Sequence, residues 1–270
     1  MQTRDIHDRM RAVGFAIEEV RRILTNPVMQ AQADWAMNAY GRLLSELGNA
    51  GEVKTLMSEF RTWTTSGPGG QPHPLMGSVV AQMRKKVITP VVMENLVLNF
   101  TQVYEDPKSL QETEYFMLNL GETAMPLYLE ELRKLSDKNH RIKFCRMLAD
   151  LGKQLGVSHF IKALGDDDWF LVRNIILVLG DIGSADSVLS VAQVLKHENV
   201  RVREEVIRTL GKLGSPFAIK SLSGFIAASK EKEEVALAIT TLSLLSEQGV
   251  DIALIDCYNK ITDYDLKIAV

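Results

Sequence analysis

The dipeptide Leu-Gly returns along the second half of this chain at nearly constant spacing: Leu120-Gly121, Leu151-Gly152, Leu179-Gly180 and Leu210-Gly211, with a degenerate copy at Leu242-Ser243. The intervals are 31, 28, 31 and 32 residues. Such a period means one supersecondary unit stacked many times, because a unit of this size cannot bury its own apolar face alone. Two copies continue as Gly-x-x-Gly, at Gly180-Asp181-Ile182-Gly183 and Gly211-Lys212-Leu213-Gly214.

Each period has the same plan. An apolar-periodic helix runs up to the Leu-Gly, as in Val202 to Leu210. A turn is then expected at Gly121, Gly152, Gly180 and Gly211, since helix C-termini favour a left-handed residue. Ser or Pro opens a second helix at Met125-Pro126, Ser184-Ala185 and Ser215-Pro216, as N-cap and first-turn preferences require. Aligned on these starts, Leu129, Val188 and Ile219 coincide, then Leu132, Val191 and Leu222, then Leu135, Val194 and Phe225. A spacing of three marks one buried helical face. Acidic clusters at Asp166-Asp167-Asp168 and His197-Glu198-Asn199 separate the hairpins.

These residues resemble HEAT repeats, particularly the short bacterial variety also found in phycocyanobilin-lyase-like families. The resemblance covers residues 106–270, with its best copies at 166–196 and 197–228. It implies an all-α fold, an α-solenoid of about five helical hairpins. The copy at 136–165 departs from the pattern, with Lys153-Gln154-Leu155 after Gly152. In the last copy Ser243 and Ser246 replace the glycines, and a shift of one or two residues puts Ile252, Ile255 and Tyr258 on the buried face. Asp263 to Val270 matches the start of another first helix, with Leu266-Lys267 in the place of Val202-Arg203. The array is therefore expected to be cut within a further repeat.

Residues 1–105 read as a divergent helical N-terminal region. Trp35 to Trp63 holds Leu47-Gly48-Asn49-Ala50-Gly51 between two helices, and residues 75–87 and 90–104 make another pair broken at Thr89-Pro90. Residues 4–24 form a long helix, and 65–74, Thr-Ser-Gly-Pro-Gly-Gly-Gln-Pro-His-Pro, form a flexible loop.

Charge disfavours a generic polyanion binder and leaves open a local basic patch formed on folding. The net charge is −3, with 11 basic and 10 acidic residues in 1–105 and 20 and 24 in 106–270. Neither part is a basic block. Cys145 and Cys257 stand 112 positions apart without a CxxC neighbour, so neither a disulfide framework nor a zinc site is expected. No apolar run approaches the ~18 residues that span a bilayer, and the N-terminus lacks a signal-peptide core. A soluble, cytoplasmic protein follows.

No catalytic, cofactor-binding or metal-binding residues are assigned. Gly67-Pro68-Gly69-Gly70 is followed by Gln-Pro-His-Pro rather than the Gly-Lys-Ser/Thr ending of a phosphate loop. His7-Asp8 resembles the paired ligands of HD-type phosphohydrolases, but His73 and His140 do not complete that set. Cys145 and His140 stand five apart, off the helical register that would pair them, with no orienting acid. Asp166-Asp167-Asp168-Trp169-Phe170 reads as a capped helix start with aromatic filler between repeats. Arg173, Arg201 and Arg203 are expected to bridge adjacent repeats.

The resemblance implies a scaffold or adaptor that binds another protein or peptide, without nucleic acid or membrane. The alternatives are a regulatory module of a larger protein and, less favoured, a helical-repeat enzyme of the bilin-lyase or DNA-glycosylase type. Solenoid residues alone do not carry the enzymatic readings. In such families second helices line the concave surface. The candidate partner-binding residues there are Glu130, Glu131, Lys134, Lys162, Ser190, Gln193, Lys220 and Ser221.

Overall fold

The structure, a computed structural model, describes residues 2–246, 248–261 and 267, without the side chains of residues 2–7, 30 and 68. The described residues are helical, joined by turns, with no strand among them. Contacts group them into Met1–Leu135 and Ser136–Val270. The sequence boundary at 105/106, drawn by repeat regularity, remains a separate proposal.

In the first unit, α1 (Gln2–Thr25) lies on α2 (Ala33–Asn49). Three hairpins follow: α2 with α3 (Val53–Thr65), α4 (Met76–Lys86) with α5 (Pro90–Gln102), and α6 (Pro107–Leu120) with α7 (Met125–Lys134). First helices pack as α2, α4, α6 and second helices as α3, α5, α7. Both hairpins expected upstream of residue 105 are thus formed, and Thr89 caps α5 by accepting the Val92 N–H. A buried polar chain ties α1 to the first hairpin. Trp63 Nε1 donates to Tyr40 Oη at 2.7 Å, Tyr40 Oη donates to Glu59 at 3.1 Å, and Arg21 donates to the same carboxylate at 2.8 Å. Burial raises the Tyr40 phenol, so it stays a donor. The 65–74 loop is pinned where the His73 ring meets Trp63 edge-on at 5.0 Å.

The second unit stacks four hairpins. First helices are α8 (Lys138–Leu155), α10 (Trp169–Ile182), α12 (Val200–Leu213) and α14 (Lys232–Ser243). Second helices are α9 (Ser158–Ala163), α11 (Val188–Gln193), α13 (Pro216–Ala228) and α15 (Val250–Lys260). From α6 onward, first helices begin at 107, 138, 169, 200 and 232, which is the period expected. The residues before four of those starts carry the same device at 31-residue intervals. Asp106, Asp137, Asp168 and Asn199 each accept a backbone N–H of the following first turn, satisfying donors that a helix start leaves orphaned.

The Leu-Gly glycines do a different job from the one expected. Gly121 does sit in a turn at positive φ, but Gly152, Gly180 and Gly211 lie inside the last turns of α8, α10 and α12. Those helices end at later glycines with positive φ: Gly156, Gly183 and Gly214. The helical glycines instead allow close approach between successive first helices. A Cβ on Gly180 would stand 3.2 Å from the Thr209 side chain, one on Gly211 would overlap the Thr241 methyl, and one on Gly152 would overlap Ile182 and Phe160. Gly152→Ala is therefore expected to destabilise, by about 1–3 kcal/mol of overpacking less at most about 1 kcal/mol of helix propensity. Gly14, inside α1 with nothing within 4 Å of its would-be Cβ, should gain about 1 kcal/mol on the same change. Urea titration of both variants checks the opposite signs.

The aligned face is buried as expected at Val188, Ile219, Leu132, Val191 and Leu222, and half-buried at Leu129, Leu135, Val194 and Phe225. The last hairpin differs. Ile252, Ile255 and Tyr258 are exposed, and α15 buries Val250 and Cys257 instead. Without the Gly-x-x-Gly turn, α15 begins after Gly249 in a left-handed conformation, and this sets a register the repeat alignment does not give. The expected further helix at 263–270 lies outside the described residues apart from Lys267.

Candidate interaction surface

Ion pairs join successive first helices of the second unit. Arg173 Nη2 donates to Glu205 at 2.6 Å, Lys212 to Asp181 at 3.0 Å, and Arg203 binds both oxygens of Glu234 at 2.9 and 2.5 Å. Glu205 and Glu234 are buried. Arg201 lies 5.8 Å over the Trp169 ring. All three arginines thus bridge repeats, as read from the sequence. Asp168 caps α10 through the Phe170 N–H, and Phe170 lies under Arg141 at 5.0 Å. The acidic-aromatic cluster is accordingly part of the stacking.

The expected strip of second-helix residues is only partly present. Lys162, Gln193 and Lys220 are exposed and Ser190 is half-buried. Ser190 and Gln193 frame a hollow of about 440 Å³ with Ile161, Leu164, Val194 and Lys196. Ser221 is half-buried and donates to Phe217 O of its own helix at 2.8 Å. In the first unit Glu130 and Lys134 are exposed, with Glu130 paired to Arg133 at 3.5 Å. Glu131 corrects the sequence reading. It is 6% exposed on α7, which packs along α5, and its carboxylate is held by Lys134 at 2.6 Å. It is not an outward-facing contact.

A larger groove, about 630 Å³, runs over the first helices α8, α10 and α12. Along α8 its wall is the stripe Lys138, Ile142, Arg146, Ala149 and Lys153, with Arg141 and Asp150 beside it. Arg173, Asn174, Leu177 and Asp181 come from α10, and Glu205 and Lys212 from α12. The carboxylates Asp150, Asp181 and Glu205 are each answered within the groove, by Lys153, Lys212 and Arg173. Lys138, Arg141 and Arg146 bring further positive charge. Asn174 is 1% exposed; its Nδ2 donates to Phe170 O at 2.8 Å, while its Oδ1 has no hydrogen-bond partner among the described residues. The stripe is present in the sequence as Lys138, Arg146 and Lys153 at eight- and seven-residue steps, with Ile142 and Ala149 between them, but it falls on a first helix and not on the second-helix strip.

Cys145 is fully buried, with its thiol pushed up to about 12, chiefly by desolvation. A thiol so protonated is no nucleophile at neutral pH. His140 stands 3.6 Å from Asp137, the cap of its own helix. The described residues hold no group of three His, Cys, Asp or Glu arranged for a metal ion, and the side chain of His7 lies outside them. No helix among the described residues is long and apolar enough to cross a membrane.

Residues 173–243 match a family model described as HEAT repeats. That span runs from the Arg173 ion pair to the end of α14. No curated protein matches. Among solved structures the chain is similar to an engineered protein from the Northeast Structural Genomics Consortium, at 15% identity over 94% of this chain and 97% of that one, with a TM-score of 0.26. The helix period and the family match, rather than that likeness, carry the fold.

Proposed function

We propose that this chain, a HEAT-repeat protein by its stacked hairpins and by the match over residues 173–243, is a scaffold or adaptor that holds another protein rather than a catalyst. One observation carries the reading. The side chains of Lys162, Ser190, Gln193 and Lys220 make no hydrogen bond or ion pair among the described residues, so nearest-neighbour stacking is complete without them. Residues that a repeat array does not need for folding are the ones it can devote to recognition. Both cysteines are free and buried, which supports a reducing, cytoplasmic setting.

The test is a combined Lys162→Ala, Gln193→Ala, Lys220→Ala variant. Its stability should stay within roughly 0.5 kcal/mol of the parent for each change, while chemical cross-linking in cell extract should lose the protein partners that the parent captures. A variant that cross-links the same partners as the parent places recognition elsewhere on the repeats. A parent that cross-links to none defeats the scaffold reading itself.

A further inference from the structure

We infer that the groove over α8, α10 and α12 is a binding site for an acidic peptide segment of a partner protein. The inference rests on the reading of a protein-binding repeat array, but not on the second-helix strip.

Charge comes first. The described residues that line the groove are the cations Lys138, Arg141, Arg146, Lys153, Arg173 and Lys212 against the carboxylates Asp150, Asp181 and Glu205. Each carboxylate already has a cation at 2.6–3.0 Å. The groove is therefore positive within a chain whose net charge is −3, and a local reversal of that kind selects a negatively charged occupant. Arg146 is exposed and makes no ion pair with the described residues, and Lys138 stands likewise at the start of α8.

The second observation separates a peptide from a nucleic acid. Asn174, in the wall of the groove, keeps a buried carbonyl oxygen without a donor. A buried acceptor left unmatched is costly, and a native protein that retains one needs a reason. A peptide backbone supplies an N–H at almost every residue, whereas a phosphodiester backbone has acceptors only. A peptide can set its carboxylates against Arg146 and Lys138 and leave neutral groups opposite the acids. Ile142, Ala149 and Leu177 give it an apolar floor.

The experiment uses the full chain and fluorescence anisotropy with three labelled probes: a short peptide alternating Glu and Ala, its Gln-for-Glu counterpart, and a single-stranded oligonucleotide of equal charge. The Glu peptide should bind more tightly than either other probe. Lys138→Glu with Arg146→Glu should weaken it by about tenfold or more, since two attractions become repulsions. Lys85→Glu with Lys230→Glu makes the same change of net charge at residues that do not line the groove and should alter binding by less than about twofold. Asn174→Leu should weaken the Glu peptide without lowering the melting temperature, which a merely structural asparagine would not do. Equal loss from both charge-reversed pairs would reduce the effect to net charge and overturn the site. Tighter binding of the oligonucleotide would overturn the peptide assignment. If no Glu peptide binds although cross-linking still captures proteins, this inference falls and the scaffold reading stands.

Discussion

Arg203→Met is expected to cost about 3–5 kcal/mol, because it leaves a buried carboxylate without its partner. Glu234 is 3% exposed at its side chain and receives both arms of the guanidinium, at 2.9 and 2.5 Å. The remaining Nη1 donates to the carbonyls of His197 and Glu198, each at 2.7 Å. The arginine therefore closes the chain entering α12 as well as the α12–α14 contact. Its hydrogen bonds to Glu234 raise its own pKa, so the guanidinium stays charged across the neutral range. The loss would be about a fifth or more of the stability of an ordinary domain. It should not spread evenly. In a stacked array each repeat answers mainly to its neighbours, so amides of α14 and α15 should exchange faster before those of α8 and α10 do. Arg173→Met removes a more exposed partner with one short contact to Glu205, and should cost less. Adding Glu234→Leu to Arg203→Met should recover most of the loss, as removal of both charges of a buried pair usually does. Urea titration checks the three variants against the parent. A double variant as unstable as Arg203→Met alone would show that packing of the arginine stem, not the stranded charge, sets the cost.

The period of the fold could be read from Leu120-Gly121 through Leu210-Gly211 because stacking imposes one spacing on every repeat. What the dipeptide could not say is which glycine turns the chain. Gly180 and Gly183 are alike on paper. Only the packed structure shows Gly180 against Thr209 and Gly183 at φ 72° with nothing near its would-be Cβ. The capping acids were more legible, since Asp168 before Trp169 needs only local geometry to accept the Phe170 N–H. Glu131 was misread because burial of a charge depends on what lies alongside: its helix packs along α5, and Lys134 answers its carboxylate. Ile252, Ile255 and Tyr258 were misplaced because the last repeat lacks the glycines that fix register in the others. The groove was missed for another reason. Its cations along α8 are ordinary surface residues, and they line a groove only where α10 and α12 bring Asn174, Asp181 and Glu205 beside them.

Leu222→Ala tests the claim that stacking, and not the polar surface, holds the repeats together. Leu222 is fully buried in the middle of α13, which has α11 on one side and α15 on the other. Neighbours on both sides are themselves held by their own helices, so the space left by the lost methyl groups cannot readily close. The expected cost is about 2–5 kcal/mol, or roughly 4–20 °C of melting temperature for a chain of this size. Ile219→Val removes one methylene at a 7% exposed position of the same helix and should cost only about 0.5–1.5 kcal/mol. Binding separates the two kinds of change. Leu222→Ala should still capture partners well below its melting temperature, since it alters no exposed side chain. The Lys162, Gln193, Lys220 triple variant should fail to capture them at any temperature while melting like the parent. Thermal melts paired with cross-linking at a low temperature decide the matter. A Leu222→Ala protein that melts within a degree or so of the parent would mean that α13 is not part of a continuous core, and the stacked-hairpin account of the second unit would have to be given up.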